Sequence, residues 1–392
     1  MSKVKPRIPS VVAGCAPESI HTPATIPELR DLVGDRNERT LVPVGGGTQL
    51  ALGNAPNRPF SLVFLKKALQ GEVEHEPTDL TAVAPAGVTL GELGAQLAES
   101  GQCLPFDPPH SEEVTLGGGL AVGIGGPVRT RYGLPRDFVL GMTVLRADSE
   151  LVKAGGRVVK NVTGYDLMRL WSGSLGTIGI VTSVALRVFP LTETIDLQCE
   201  LDSLAAGQAL AEKFLRADLR PELLDLTKKK GDWHGTLRLS QRAVSKAKKL
   251  AATDLVLSSE KDYLEVRDLG FGEKDVLTLR ASCPTSAIAS TTKALEKLAP
   301  SQILVRPLAR EVRTTWNAQS IPHADAVAAT IGALRTELAK DSGIVVAERI
   351  PDEMRGAIDT WGTSQNFQRM AAVKSAFDPY NRLNAGRFVG GL

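Results

Sequence analysis

Three clusters of glycine crowd the first half of this chain. They are Gly45-Gly46-Gly47 in LVPVGGGTQLALG, Gly117-Gly118-Gly119 in VTLGGGLA, and Gly173, Gly176 and Gly179 in GSLGTIGIVT. Glycine loses more conformational freedom on folding than any other residue, so such runs belong where backbone takes positive φ or approaches something bulky. Successive N–H groups without side chains around them form an anion-binding concavity. Three such turns in one half of the chain point to one shared ligand.

The familiar phosphate loops fail by spelling. There is no Gly-Lys dipeptide, hence no Walker A loop, and no segment matches G-x-G-x-x-G, because Leu50 and Val122 stand where the third glycine would fall. A formal net charge of +2 gives no electrostatic footprint for nucleic acid. No apolar run reaches the ~18 residues of a membrane helix. The opening MSKVKPRIPSVVAG has no apolar core of signal-peptide length, so a cytoplasmic location is expected. Cys15, Cys103, Cys199 and Cys283 form no C-x-x-C pair, and the five histidines form no H-x-H or H-E-x-x-H. Neither a cluster motif nor a metal site is expected.

A length of 392 residues suits about two or three domains. The glycine clusters stop near RVFPLTET, Arg187 to Thr194, which places a boundary there and divides the chain into residues 1–190 and 191–392. Upstream, TIPELRDLVGD and TLGELGAQLAESG each open with Thr and Glu at capping-box spacing, Thr25/Glu28 and Thr89/Glu92, and predict helices. TLVPV predicts a strand entering the first glycine turn. VLGMTVLRADSELVKAGG reads as two strands about Asp148-Ser149, and TIGIVTSVALRVF as a buried strand. Downstream, strands (TIDLQCEL, GTLRLS, DVLTLRAS, QILVRP, GIVVAERI) alternate with helices (SAIASTTKALEKLA, HADAVAATIGALRTELAK) without glycine-rich crossovers. An antiparallel sheet covered by helices on one face fits, giving an α+β fold overall. The basic segments TKKKGD and SKAKKLAATD read as a loop and a solvated helix face.

PVGGGTQLALG, LPFDPPHSEEVTLGGGLA, GPVRTRYGLPRDFVLG, GGRVVKNVTGYDLMRLWSGSLGTIGIVTSVALRVFP and FDPYNRLNAGRF together resemble the FAD-linked oxidases of the vanillyl-alcohol-oxidase type. DPPH with RVVKNVTGYDL is most similar to the smaller flavin-binding subunits of bacterial glycolate oxidases. The resemblance spans nearly the whole chain. It implies a PCMH-type FAD-binding domain of two α+β subdomains, followed by a cap domain with an antiparallel sheet. By the same resemblance Pro43, Gly45, Gly46, Gly47, Thr48, Gln49 and Leu50 form the loop around the FAD diphosphate. Thr115, Gly117, Gly118 and Gly119 form the opposite wall. Gly173, Gly176, Thr177, Gly179, Ile180 and Val181 run beside the flavin and adenine, and Asn161 and Tyr165 match a segment next to the cofactor. These loops hold hardly any lysine or arginine, so backbone amides must do the neutralising.

Three departures from the family pattern bear on function. No histidine or cysteine stands in GGGTQL, so the FAD is expected to be non-covalent. AVGIGGP, Ala121 to Pro127, replaces the relatives' ATNASGP, with glycine at 123 and 125 for asparagine and serine. The cap has only His234 and His323, where hydroxyacid dehydrogenases of the family carry a histidine-rich site. The expectation is therefore a non-covalent FAD subunit of a multisubunit glycolate (2-hydroxyacid) dehydrogenase, with a larger homologous FAD subunit and an iron–sulfur subunit as partners. Attachment to the inner membrane, if any, would be through that complex. A self-sufficient FAD oxidoreductase and a flavin-free scaffold stand as alternatives. No catalytic residue is assigned. His110 reads as a loop histidine, Arg349 and Arg387 as salt-bridge partners, and Arg136 and Asp137 as an internal ion pair.

Overall fold

The strand Leu41–Val44 leads directly into the first glycine cluster, and everything about the site follows from how that strand end is held. In the computed structural model, which describes residues 11–35, 37, 40–157 and 166–392, this strand pairs in parallel with Ser61–Phe64, itself parallel to Ser19–His21. A second sheet is antiparallel, in the order Glu74–Glu76, Thr81–Pro85, Ile180–Arg187, Val139–Leu145, Leu151–Gly155. These are the two α+β subdomains of the first half.

The helix Leu90–Ala98 carries the reciprocal capping box of Thr89 and Glu92, and it buries Leu90, Leu93 and Leu97 on one face. Each such leucine is worth about 1.5–3 kcal/mol of burial. The helix Ile26–Gly34 departs from the expected box. Thr25 accepts from the Glu28 amide, but the Glu28 carboxylate accepts from Ala24, one residue upstream of the reciprocal partner. Pro27 sits in its first turn, where its missing N–H costs no helical bond.

The second half is an eight-stranded antiparallel sheet. Its order is Val256–Leu257, Thr194–Leu201, Asp232–Ser240, Leu223–Lys229, Gln302–Arg306, Glu311–Asn317, Asp275–Ser282, Ile344–Arg349. Side chains alternate across it, as the pleat requires. Leu224, Leu226, Leu279, Val305, Val312 and Ala347 meet the helices Leu204–Arg216, Ile288–Glu296 and Ala324–Leu338 in one core. The intervening Asp225, Arg280, Arg306, Glu311, Arg313 and Glu348 form a buried ionic layer on the other face. Lys228 and Lys229 lie at a strand end rather than in a loop and pair with Glu296 and Glu265.

The last residues return to the first half. Leu383 bridges to Leu41 and joins the core of the first half. Lys374 Nζ donates to Thr177 O at 2.8 Å and to Leu383 O at 2.9 Å, while pairing with Asp378.

Candidate functional site

Past Val44 the chain makes an open loop in which the amides of Gly45, Gly46, Gly47, Thr48 and Gln49 donate to no described residue. The next amide, of Leu50, turns back to Gly47 O, and Gly47 itself has a φ of +74°. Pro43 and residues 45–50 line one side of a cleft that encloses about 950 Å³, counting the part open to solvent. A Cβ on Gly45 would overlap Thr115 Oγ1, and one on Gly46 the carbonyl of Glu113. Glycine is required here by close approach of the opposite wall.

That wall is the N-terminal turn of the helix Leu116–Val122, with Thr115 as its cap. Here the amides are already used. Leu116 and Gly117 donate to Val88 O and Ala86 O, Gly118 to Thr115 Oγ1, and Gly119 to Thr115 O. The wall is shaped by glycine but its helix-start amides are spent within the chain, so the run of successive free amides lies in the first cluster. Gly123 ends this helix at a φ of +71°. Glycine and asparagine are the residues that adopt this conformation most readily, so the change from the relatives' asparagine keeps the turn.

From the third cluster, Gly176, Gly179, Ile180 and Val181 line the cleft. Gly173 and Thr177 do not. Gly173 packs behind Gly123 and donates to Leu120 O, and Thr177 Oγ1 donates to Ser174 O. Asn161 and Tyr165 lie outside the described residues. The C-terminal segment supplies two lining residues that the motif reading did not assign to the cofactor, Asn384 and Arg387. Asn384 Nδ2 donates to Leu175 O, and Arg387 Nη2 donates to Leu50 O and Leu52 O, both at 2.6 Å.

No carboxylate, histidine or cysteine lines this cleft among the described residues, and its two cations are Lys66 and Arg387. Lys66 is half-exposed, 3.7 Å from Glu92. Arg387 is 2% exposed, no described carboxylate lies within 4 Å, and its Nε is without a partner. The salt bridge expected for it is absent, because backbone carbonyls occupy its donors. Arg349 likewise donates to Gly272 O rather than to a carboxylate. Arg136 and Asp137 do not pair. Asp137 accepts from the Leu134 amide and faces Arg169 at 3.8 Å. His110 joins the two halves, its amide on Asp268 at 2.9 Å and its Nε2 on Phe271 O at 3.0 Å, beside a two-pronged Arg267–Glu112 pair.

A second cavity adjoins the first across Gly47–Leu50 and opens toward the cap. Glu273, Asp275, Glu348, Asp352 and Glu353 line it against two cations, Arg349 and Arg355. Arg355 is held by Asp352 and by the carbonyls of Gly53 and Ala51.

The cleft's free amides, its glycine-only contacts and its unpaired guanidinium fit an elongated ligand carrying a diphosphate. Comparison with known proteins agrees. Residues 17–155 match the family model described as FAD binding domain. Glycolate oxidase subunit GlcE of Escherichia coli (strain K12) is 35% identical over 198 residues, 50% of this chain and 55% of that one. Glycolate oxidase subunit GlcD of Bacillus subtilis (strain 168) is 32% identical, over 53% of this chain and 46% of that one. A D-lactate dehydrogenase of Archaeoglobus fulgidus is 34% identical over 46% of this chain and 41% of its own. The chain spans about half the length of the curated relatives it matches. Among solved structures, alkyldihydroxyacetonephosphate synthase shares the fold, with a TM-score of 0.67 at 14% identity, over 93% of this chain and 75% of that one. The first half carries a PCMH-type FAD-binding domain, as in the FAD-linked oxidases, and its cofactor is FAD.

Proposed function

We propose that this chain is the non-covalent FAD-binding subunit of a multisubunit 2-hydroxyacid dehydrogenase acting on glycolate or a close analogue. A larger homologous FAD subunit and an iron–sulfur subunit would be its partners. The observation that carries the reading is the cleft, which among the described residues has five successive free amides at Gly45–Gln49 and no carboxylate in its lining. Two relatives whose names denote glycolate oxidase subunits support it.

Bound FAD supplies a two-electron acceptor for hydride. The chain's own residues account for holding it. The amides of Gly45–Gln49 would take the diphosphate, and Thr48 adds a hydroxyl donor at the loop end. Val122, Ile124 and Leu175 exclude water from the end nearest the cap. With no histidine or cysteine lining the cleft among the described residues, none of those side chains offers a covalent link to the flavin.

The cavity between the glycine loop and the cap favours dependence on partners. Its carboxylates outnumber its arginines, and both arginines are engaged by backbone carbonyls. A small carboxylate anion meets repulsion there, and no unengaged cation clamps it. Oxidation of the hydroxy acid is thus assigned to the complex rather than to the lone chain. Among the described residues no helix is long and apolar enough to cross a membrane, so any attachment to the inner membrane is assigned to the complex as well.

The test is to purify the chain, titrate it with FAD, and assay glycolate and D-lactate with a dye acceptor, before and after adding co-purifying partners. Flavin uptake with dye reduction only in the complex is the expected result. Strong dye reduction by the lone chain would make it a self-sufficient oxidoreductase, and a chain that takes up no flavin would be a scaffold.

A further inference from the structure

A buried charge without a counter-charge is costly enough that proteins rarely keep one without a use. Arg387 is such a charge. Its guanidinium is withdrawn from water and, among the described residues, is bonded only to the Leu50 and Leu52 carbonyls and distantly to Asn384 Oδ1, with Nε left free. Burial holds it down to about 10, with Arg355 acting in the same direction, so it stays cationic at neutral pH. The missing anion must come from what fills the cleft it lines.

FAD has two sources of negative charge, the diphosphate and the reduced ring. The diphosphate already has the run of amides at Gly45–Gln49. Arg387 lies past that run, bonded to the Leu50 and Leu52 carbonyls, where Val122, Ile124 and Leu175 line the cleft with apolar side chains suited to a flat ring. We propose that Arg387 is the fixed counter-charge for the negative charge that the flavin ring acquires on reduction. Hydride addition to the neutral ring brings two electrons and one proton and leaves one net negative charge. Arg387 lets that charge persist without uptake of a further proton from solvent. In the low dielectric of the cleft a single fixed cation acts strongly. The inference rests on the FAD reading of the cleft.

Sulfite is the probe, because it adds to the oxidised ring and leaves it with the same net charge. The FAD-loaded wild-type chain is expected to bind sulfite about a hundredfold or more tightly than free FAD does. Arg387→Met should weaken sulfite binding about tenfold or more and lower the flavin midpoint potential, while Arg387→Lys stays within about threefold of wild type. Wild-type sulfite affinity equal to that of free FAD overturns the inference, and that measurement needs no variant to fold. So does an Arg387→Met chain that loses FAD affinity but keeps its sulfite affinity, which would place Arg387 on the diphosphate or the loop. A wild-type chain that takes up no FAD overturns the cofactor reading and this inference with it. Uptake with weak sulfite binding overturns this inference alone.

Discussion

Arg129 Nη2 lies 2.7 Å from a carboxylate oxygen of Glu311, and this pair ties the FAD-binding half to the ionic face of the cap sheet. Glu311 also meets Arg306 at 2.7 Å and Arg313 at 3.6 Å. Burial pushes its carboxyl up, but the guanidiniums of Arg129, Arg313 and Arg306 outweigh that and hold it well below the usual carboxylate range. Glu311→Gln leaves these cations uncompensated, and breaking a buried pair in this way costs about 3–5 kcal/mol. Urea unfolding should show a clearly lower midpoint for Glu311→Gln, with Arg129→Ala less affected because Glu311 keeps two partners. Equal midpoints for wild type and Glu311→Gln would contradict the role given to this layer.

Asp107 gives a pH-dependent prediction. It is half-buried; its Oδ2 accepts from Tyr263 Oη at 2.6 Å and Val128 N at 3.3 Å, while Oδ1, shielded from water, has no partner among the described residues. Burial raises its pKa to about 6, against the pull of those bonds and of Arg306 and Arg267. The folded value lies above the ordinary one, so the folded chain keeps this proton where the unfolded chain has released it. The resulting stability is complete below the unfolded value and is lost as pH rises through about 6. Asp107→Asn keeps one acceptor for both donors. It should raise stability above pH 6 relative to wild type, by an amount on the order of 2–3 kcal/mol, and flatten the slope below it. Parallel melting-temperature curves for the two proteins across acid pH would count against this.

The glycine contacts predict loss of cofactor. Gly46→Val drives a branched side chain into the Glu113 carbonyl, and at Gly118 even a Cβ meets Thr115 Oγ1 at 2.9 Å. Both variants should lose FAD retention while keeping their far-ultraviolet circular dichroism, with Gly46→Val also melting earlier by an amount reflecting roughly 1–3 kcal/mol of overpacking. Full flavin occupancy in both would show that the glycines serve packing alone.

Acid precipitation of the FAD-loaded chain should give a colourless pellet and a yellow supernatant, since no lining residue among the described ones is a histidine or cysteine. A pellet still yellow after washing would refute non-covalent binding.

The close approach of two backbone segments was legible in the motifs, because glycine leaves a sequence mark wherever backbone must come close, as at Gly45 and Gly46. They could not show that the amides of Gly117–Gly119 are spent within the chain, since a hydrogen-bond partner such as Ala86 O is chosen by tertiary packing. In the cap, TIDLQCEL was legible as a strand from its apolar alternation and GIVVAERI from its short β-branched run. Leu223–Lys229 and Glu311–Asn317 were not, because one face of each carries buried Asp225, Glu311 or Arg313, residues that read as solvated. Arg387, read as a salt-bridge partner, was misread for the same reason. Sequence reports that a charge exists, and only the fold reports that nothing opposes it.

The carbonyls of Leu50 and Leu52 are fastened by a residue 337 and 335 positions further along the chain. On the ribosome, the glycine loop therefore emerges long before its clasp. A nascent chain can finish the parallel sheet and expose the loop while the cleft still lacks Asn384 and Arg387. Stable cofactor capture is thereby deferred until residues 384–387 have emerged, and proteolysis that severs them from the loop would return the cleft to that unclasped state.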